Sequence, residues 1–240
     1  MRVAALYDIH GNLPALEAVL AEVGGTGADV ILLGGDIVGG PMPAGTLAAL
    51  EGRPERLVWI RGNGERELAE PTAAPDFWTW AGTELHDDQR DFLVGLPTTV
   101  ALDVEGLGPT LFCHGSPRRD NEILTRVSPE ARVAEILSGV EERIVVCGHT
   151  HTQFDRVVGD IRLVNSGSVG MPYEDEPGAY WTVLGPDVEL RRTPYDLDAA
   201  AARIRETEFP IAEEFASENV LTVPSGDEAA ALFESQAEDG

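Results

Sequence analysis

The sequence predicts an α/β fold in which two sheets form the core and helices flank them. In the first part of the chain, short apolar runs of strand length alternate with segments of helical periodicity, which is typical of βαβ units. Beyond residue 150, four short strand-like runs follow one another closely, which favours antiparallel pairing. The chain has 240 residues, 43% of them apolar, enough for one sizeable core but cramped for two equal domains.

The N-terminal elements follow from apolar periodicity and its interruptions. Residues 1–7 form an apolar run of strand length, and residues 13–23 carry an apolar stripe with helical spacing. The glycines at residues 24–27 predict the end of this helix and the start of a second strand at residues 29–33. This βαβ unit implies two parallel strands joined by a right-handed crossover.

The remaining elements are predicted by the same signals. The pair Ser128-Pro129 combines the residue types that favour the start of a helix. Further helices are expected near residues 43–50, 65–69 and 87–94. Further strands are expected at residues 57–60, 98–104, 110–113, 144–147, 154–158, 161–164, 179–184 and 188–192.

Two histidines follow the predicted strand at residues 144–147. Gly148 ends the strand, and His149 and His151 come next, two positions apart. Side chains two apart in an extended chain point to the same face. Two imidazoles beside a buried strand are unusual as core residues and well suited to a metal site. Taken alone, the pair is equally compatible with two solvated loop histidines.

The same arrangement recurs at other predicted strand ends. Four of the five histidines of the chain lie at such ends, and only His86 does not. Ligands gathered at the carboxyl ends of strands are typical of active sites in α/β proteins. The residues with ligand chemistry at strand ends are Asp8, His10, Asp36, Asn63, His114, His149 and His151.

These motifs resemble those of the calcineurin-like metallophosphoesterases, in the order in which that family carries them. The matching motifs are Asp8-Ile9-His10, Gly35-Asp36, Gly62-Asn63, His114-Gly115, Gly148-His149-Thr150-His151 and the glycine turn at residues 165–170. The resemblance covers roughly residues 1–195, and the five ordered ligand motifs that precede the glycine turn are together far more specific than any single one. It implies a four-layer αββα sandwich of two mixed sheets, most similar to small prokaryotic phosphodiesterases without a cap domain.

The resemblance also implies a binuclear metal centre. By that resemblance Asp8, His10, Asp36 and His151 hold one metal ion, while Asp36, Asn63, His114 and His149 hold the second, with Asp36 bridging. A metal-activated hydroxide then attacks a phosphate ester, and Asp36, Asn63, His114 and Arg118 are the expected catalytic residues. Imidazole and oxygen ligands suit Mn, Fe, Zn, Co or Ni, with Mn favoured. The expected substrate is a small phosphate ester, a diester rather than a monoester.

Two departures from the family pattern bear on the substrate. Gly39 and Gly40 stand where phosphoprotein phosphatases of this superfamily carry aspartate and arginine, which argues against that activity. Gly64 stands where many relatives have the histidine that protonates the leaving oxygen. We therefore expect no general acid at this position, and vacant space beside Gly64 for the second ester group of a diester.

Arginines and aromatic residues near the motifs leave alternatives open. Arg118 or Arg119, directly after a ligand motif, can clamp the phosphate or simply lie exposed. The aromatic residues at 77–80 can stack on a nucleoside, although packing against the sheet is the more common role. Cys113 and Cys147 are expected to be small buried hydrophobes in a reducing cytoplasm.

Charge and hydropathy exclude several classes of partner. The formal net charge is −25, and all 17 basic residues are arginines, so neither a basic face for duplex nucleic acid nor a catalytic lysine is expected. Apolar runs of membrane-span length are absent from the sequence, as is a signal peptide, so we expect a cytoplasmic protein. A homo-oligomer is possible.

The acid-rich C-terminal segment, residues 196–240, is expected to form a helical extension of the domain at residues 1–195. Docking on the core, a dimer contact and partial disorder are all compatible with its sequence. Two other functions compete with hydrolysis at a metal centre. One is a metal-binding interaction module of the same fold without turnover. The other is a Ser-His-Asp hydrolase with Ser116 or Ser168 as nucleophile, although a G-x-S-x-G motif is lacking.

Overall fold

The computed structural model describes residues 1–69 and 77–238, except for the side chains of Phe77 and Glu238. Its strands are β1 (Val3–Leu6), β2 (Val30–Leu33), β3 (Arg56–Trp59), β4 (Thr99–Val104), β5 (Gly108–Cys113), β6 (Ile144–Cys147), β7 (Phe154–Val158), β8 (Ile161–Asn165), β9 (Ala179–Leu184) and β10 (Val188–Thr193). Its helices are α1 (Leu13–Thr26), α2 (Pro43–Leu50), α3 (Asn63–Glu67), α4 (Phe77–Thr83), α5 (Asp87–Val94), α6 (Glu130–Ile136), α7 (Leu197–Arg205), α8 (Ala212–Phe215), which continues as a π-helical stretch (Ala216–Leu221), and α9 (Gly226–Glu238).

Two mixed five-stranded sheets pack against each other. The first has the order β10-β9-β1-β2-β3, with β1, β2 and β3 parallel and β9 antiparallel to β1. The second has the order β4-β5-β6-β8-β7, with β5, β6 and β8 parallel and each outer strand antiparallel to its neighbour. The carboxyl ends of the parallel strands therefore gather at one edge of each sheet.

Three apolar layers hold this sandwich together. Between the sheets, Tyr7 and Val58 of the first pack with Phe112 and Val146 of the second, all of them buried. The outer face of the first sheet packs under α1 and α2, and that of the second packs under α6. This order of layers confirms the predicted four-layer αββα fold. Among the described helices, none is long and apolar enough to cross a membrane.

Most predicted elements match to within two residues, and β6, β7, β9, α2 and α5 have the predicted limits. The end of α1 differs. The helix continues through Gly24 and Gly25 and ends only at Gly27, whose φ of 70° breaks the helical path. Two exposed glycines lower helix propensity without stopping the helix, because α1 is stabilised by its buried face. Cys113 and Cys147 are buried and free, as expected.

Candidate metal centre

The candidate ligands meet where the strands of both sheets end. Asn63 opens α3, four residues after β3. The other six follow the carboxyl ends of β1, β2, β5 and β6, and are Asp8, His10, Asp36, His114, His149 and His151. The chain thus places all seven residues predicted from the sequence just after strand ends or at a helix start, although they span more than 140 positions.

The first group consists of Asp8, His10 and His151. Nε2 of His151 lies 3.3 Å from Oδ1 of Asp8, and Nε2 of His10 lies 3.8 Å from the same oxygen. The two Nε2 atoms are 3.1 Å apart. All three side chains are buried, and their ligand atoms lie close enough together to contact one metal ion.

Backbone carbonyls determine which ring nitrogen faces this group. Nδ1 of His10 lies 3.2 Å from the oxygen of Gly39, and Nδ1 of His151 lies 2.7 Å from the oxygen of Met171. A carbonyl oxygen can only accept, so Nδ1 carries the proton and a neutral ring presents a bare Nε2. Two bare nitrogens beside the carboxylate of Asp8 repel one another unless a proton or a cation lies among them.

The second group consists of Asp8, Asp36 and His114. Nε2 of His114 lies 3.5 Å from Oδ1 of Asp36 and 3.8 Å from Oδ1 of Asp8, while its Nδ1 lies 2.8 Å from the oxygen of Gly34. His149 flanks the group, with its ring centroid 5.3 Å from that of His114. Asp8 therefore belongs to both groups, whereas the family resemblance assigns the bridge to Asp36, whose Oδ2 lies 4.0 Å from Nε2 of His10.

Three buried polar atoms of this cluster support metal binding. Oδ1 of Asp8, Oδ1 of Asn63 and Nε2 of His114 make no hydrogen bond within the part of the chain that the structure describes. A buried polar atom without a partner costs roughly 1–3 kcal/mol. A divalent cation contacted by imidazole nitrogens and carboxylate or amide oxygens supplies the missing partners. The donor set therefore fits a transition metal centre.

The backbone is strained at the same residues. Of residues 1–69 and 77–238, the only non-glycine residues with positive φ are Asp8, His10, Asp36, His149 and His151, at 48–67°. Such left-handed conformations are costly for residues with a side chain and are concentrated at functional sites. Five candidate ligands thus share a conformation that turns their side chains out of the strand direction and towards a common point.

Burial and charge shift the pKa values of the ligands in opposite directions. Burial lowers the pKa of His10 and of His149 to about 4, so both imidazoles are neutral at pH 7. Burial also disfavours a charge on His114, but the carboxylates of Asp36 and Asp8 outweigh it and raise its pKa to about 10. Burial opposes the charge of Asp36 too, yet the facing histidines hold its pKa below the usual value.

Glu65 is a component of the site that the ligand motifs did not reveal. Its carboxylate is fully buried and accepts hydrogen bonds from the backbone N–H groups of Asp36, Ile37 and Gly62, at 2.7–2.8 Å. It thereby ties the loop that carries Asp36 to the loop that carries Asn63. Burial, with the charge of Asp36, raises the pKa of Glu65 to about 7 despite these hydrogen bonds.

The sequence contains a signal for the role of Glu65 in joining the two loops. Glu65 lies three residues after Gly62, the spacing at which an acidic side chain bonds back to the N–H of the residue that caps a helix. The sequence predicts a helix at residues 65–69 that Glu65 opens. The helix instead runs from Asn63 to Glu67, because Glu65 turns inward at its third position.

Trp78 fills the space beside Gly64, so the prediction of vacant space there is wrong. A Cβ on Gly64 would lie 2.1 Å from Cη2 of Trp78, and a Cβ on Gly39 would lie 1.7 Å from Cζ3 of the same ring. The indole is buried, with its centroid 5.4 Å from that of His10. Trp78 therefore packs over the ligand loops, and the two glycines give it room.

The other aromatic residues of this segment differ in position. The ring of Trp80 packs against Phe209, with centroids 5.0 Å apart, rather than against the sheet. The side chain of Phe77 lies outside the described residues, so its predicted packing cannot be compared. The segment at residues 77–80 belongs to α4, which the sequence had not indicated.

Replacement of Gly64 by histidine is expected to destabilise the protein through overpacking against Trp78. Overpacking costs roughly 1–3 kcal/mol of unfolding free energy. In a Trp78→Ala background the same substitution should cost much less, because the ring that it meets is gone. Denaturant unfolding of the two single variants and the double variant measures this coupling. Gly24→His, on a helix face open to solvent, is the control, and equal costs in both backgrounds would contradict the packing argument.

The other side chains predicted to act in catalysis, Arg118, Ser116 and Ser168, form hydrogen bonds to carboxylate or backbone oxygens. Arg118 is exposed, and its guanidinium bonds to the carboxylate of Glu122 at 2.6–2.9 Å, so its role as a phosphate clamp stays a prediction. The hydroxyl of Ser116 donates to the same carboxylate. The hydroxyl of Ser168 donates to the backbone oxygen of Asp8. Both serine protons are thus directed away from an imidazole base, which argues against a serine nucleophile.

Comparison with known proteins agrees with this geometry. Phosphodiesterase YfcE of Escherichia coli is 26% identical over 194 residues, covering 75% of this chain and 85% of the relative. A solved structure of a hypothetical protein from Pyrococcus horikoshii has a TM-score of 0.79 at 22% identity, covering 90% of this chain and 96% of that one.

A metallophosphoesterase structure from Sphaerobacter thermophilus has a TM-score of 0.72 at 24% identity, covering 92% of this chain and 98% of that one. At such identities these two structures establish a shared fold. The model of the calcineurin-like phosphoesterase superfamily domain matches residues 1–185, more than three quarters of the sequence. The chain belongs to the calcineurin-like phosphoesterase superfamily.

Proposed function

We propose that the protein is a phosphodiesterase that depends on two divalent transition metal ions, with manganese the favoured ion. The observation that carries the proposal is the convergence of five ligand-type side chains, Asp8, His10, Asp36, His114 and His151, in two groups that share Asp8. Buried polar atoms of Asp8, His114 and the neighbouring Asn63 lack a partner among the described residues. Membership of a phosphoesterase superfamily and similarity to a relative named as a phosphodiesterase support hydrolysis of a phosphate ester.

In this proposal each metal ion has its own ligand set. Asp8, His10, Asp36 and His151 hold one ion, and Asp36, Asn63, His114 and His149 hold the other. The ions supply Lewis-acid stabilisation of the phosphoryl oxygens and a nucleophile at neutral pH. Glu65 holds Asp36 and Asn63 in fixed positions relative to each other, because its carboxylate joins the two loops that carry them.

Gly64 and Trp78 bear on how the leaving group of the ester departs. Gly64 lacks a side chain that could protonate it, and the indole of Trp78 takes up the space beside Gly64. A positioned general acid contributes roughly 10²–10⁴-fold to such steps. We therefore expect esters of acidic alcohols, such as nitrophenyl diesters, to react well and alkyl monoesters to react poorly.

Turnover of matched substrates tests the proposal. The Mn-loaded protein should hydrolyse bis(4-nitrophenyl) phosphate faster, in kcat/KM, than 4-nitrophenyl phosphate. It should hydrolyse 4-nitrophenyl phosphate at least about tenfold faster than glycerol 2-phosphate, whose alkoxide leaves poorly without a general acid. Chelation should abolish the activity and Mn should restore it. Activity that resists chelation would overturn the metal mechanism. Absence of turnover in a protein loaded with metal would instead favour a binding module of this fold.

We further propose that residues 1–195 form the phosphoesterase domain and residues 196–240 an extension of it. A cytoplasmic location is also proposed, because the free Cys113 and Cys147 suit a reducing compartment.

A further inference from the structure

The C-terminal extension packs beside the candidate metal centre. Helices α7 and α8 and the π-helical stretch form an apolar cluster around Ile204, Phe209 and Phe215, all buried. Met171, which holds His151 through its backbone oxygen, and Trp80 pack against this cluster. The extension lies beyond residue 185, where the match to the superfamily ends.

A partly buried ionic network fixes α9 in place. The carboxylate of Glu234 accepts hydrogen bonds from Nη2 of Arg132 at 2.6 and 2.7 Å and from the hydroxyl of Thr125 at 2.8 Å. Ser128 donates to the same carboxylate, and Arg126 pairs with Asp227 at the start of the helix. Since Glu234 is only 15% exposed at its side chain, this network holds α9 firmly against the loop before α6.

The residue before Glu234 brings the extension to the ligands. The ring centroid of Phe233 lies 6.5 Å from that of His149 and 6.1 Å from that of Tyr173. Tyr173 in turn packs on His151, with centroids 4.8 Å apart. A chain of aromatic contacts therefore runs from the two ligand histidines of the β6 loop to the extension.

A cavity of about 650 Å³ opens at this junction. Its walls are mostly apolar and aromatic, and include Met171, Tyr173, Phe209, Phe215 and Phe233. This volume is within the range of pockets that enclose a small organic ligand. Because Tyr173 and Phe233 line the cavity and also contact the ligand histidines, these two rings connect the cavity to the metal centre.

The polar groups at the cavity are acidic or neutral. Glu214, Glu218 and Glu228 line it from the exposed side, together with the amides of Asn219 and Gln236. Carboxylates at the mouth repel a second anionic group, whereas amides can bond to the edge of an uncharged ring. Aromatic side chains can stack on any flat aromatic ring, whichever base or substituents it carries.

We infer that the cavity binds an uncharged aromatic group, such as a nucleobase or an aryl ring, of the phosphodiester whose phosphate lies at the metal centre. The inference rests on the proposed function and names the class of its substrate. It gives the C-terminal extension a role in selecting the organic part of the ester.

Binding of isolated probes to the metal-free full chain is the first test. Saturation-transfer NMR should detect thymidine, through its base protons, and should not detect choline. Phe233→Ala should abolish the thymidine signal, while Phe92→Ala, the same substitution at an exposed ring against Trp59, should keep it. Thermal melting shows whether each variant is folded. Choline binding without thymidine binding would overturn the inference in favour of a cationic ligand.

Kinetics with the Mn-loaded protein are the second test. The 4-nitrophenyl ester of thymidine 5′-phosphate should have a KM at least tenfold below that of methyl 4-nitrophenyl phosphate, and Phe233→Ala should raise it at least fivefold. A rise in KM for both esters would also support the inference, with the nitrophenyl ring in the cavity. Unchanged KM values for both would overturn it.

Two further outcomes keep this inference separate from the proposed function. If neither ester is hydrolysed, the proposed function fails, while the binding of thymidine still decides whether the cavity takes an aromatic ring.

Leu232, which is 60% exposed, also lines the cavity. A dimer in sedimentation that Leu232→Asp dissociates would mean that a second copy fills the cavity, and this would overturn the inference.

Discussion

Replacement of Asp36 by asparagine is expected to remove nearly all phosphoesterase activity. Oδ1 of Asp36 lies 3.5 Å from Nε2 of His114 and Oδ2 lies 4.0 Å from Nε2 of His10, so its carboxylate reaches both ligand groups. Asparagine keeps the shape but loses the charge and turns an NH₂ group towards the metal centre. Lewis-acid stabilisation is worth several kcal/mol, so kcat/KM should fall by roughly 10³-fold or more.

Metal content measured in the same samples shows the cause of this loss. We expect Asp36→Asn to retain at most one metal ion per chain after gel filtration, with a fold that still melts cooperatively. Asp160→Asn, the same substitution at an exposed turn, is the control and should leave metal content and rate unchanged. A folded Asp36→Asn protein with full activity would contradict the bridging position of Asp36.

Replacement of Glu65 by alanine is expected to be the most destabilising change at the site. It leaves the N–H groups of Asp36, Ile37 and Gly62 without the carboxylate that accepts from them. Each buried donor that loses its partner costs roughly 1–3 kcal/mol, so the unfolding free energy should fall by at least about 3 kcal/mol. Denaturant unfolding of the metal-free protein measures this without a contribution from bound metal.

The position of Glu65 between two ligand loops predicts a second effect. Metal affinity should fall in Glu65→Ala even at temperatures where the variant is folded, because Asp36 and Asn63 are no longer held together. Glu65→Gln should lie between the wild type and alanine, since it keeps one acceptor oxygen. Glu130→Ala removes an exposed first-turn glutamate from α6 and serves as the control. A Glu65→Ala protein as stable as this control would refute the role of Glu65.

The sequence predicted the α/β fold class and the position of the candidate ligands just after the ends of strands. It could do so because strand length, glycine stops and the spacing of His149 and His151 are local signals. The packing of Trp78 over Gly64 was not predictable, because it joins two segments 14 positions apart with no periodic pattern between them. Docking of α9 depends on Glu234 and Arg132, which are 102 positions apart, so the sequence left docking on the core, a dimer contact and partial disorder all open.

The number of metal ions at the ligand cluster tests the central claim most directly. Crystals of the protein grown with excess MnCl₂ should show two anomalous scattering peaks per chain, one beside His10 and His151 and one beside His114 and Asn63. Metal analysis of the same preparation should give two Mn per chain. One peak, or none, in fully reconstituted protein would contradict a binuclear centre, whatever the activity of the sample.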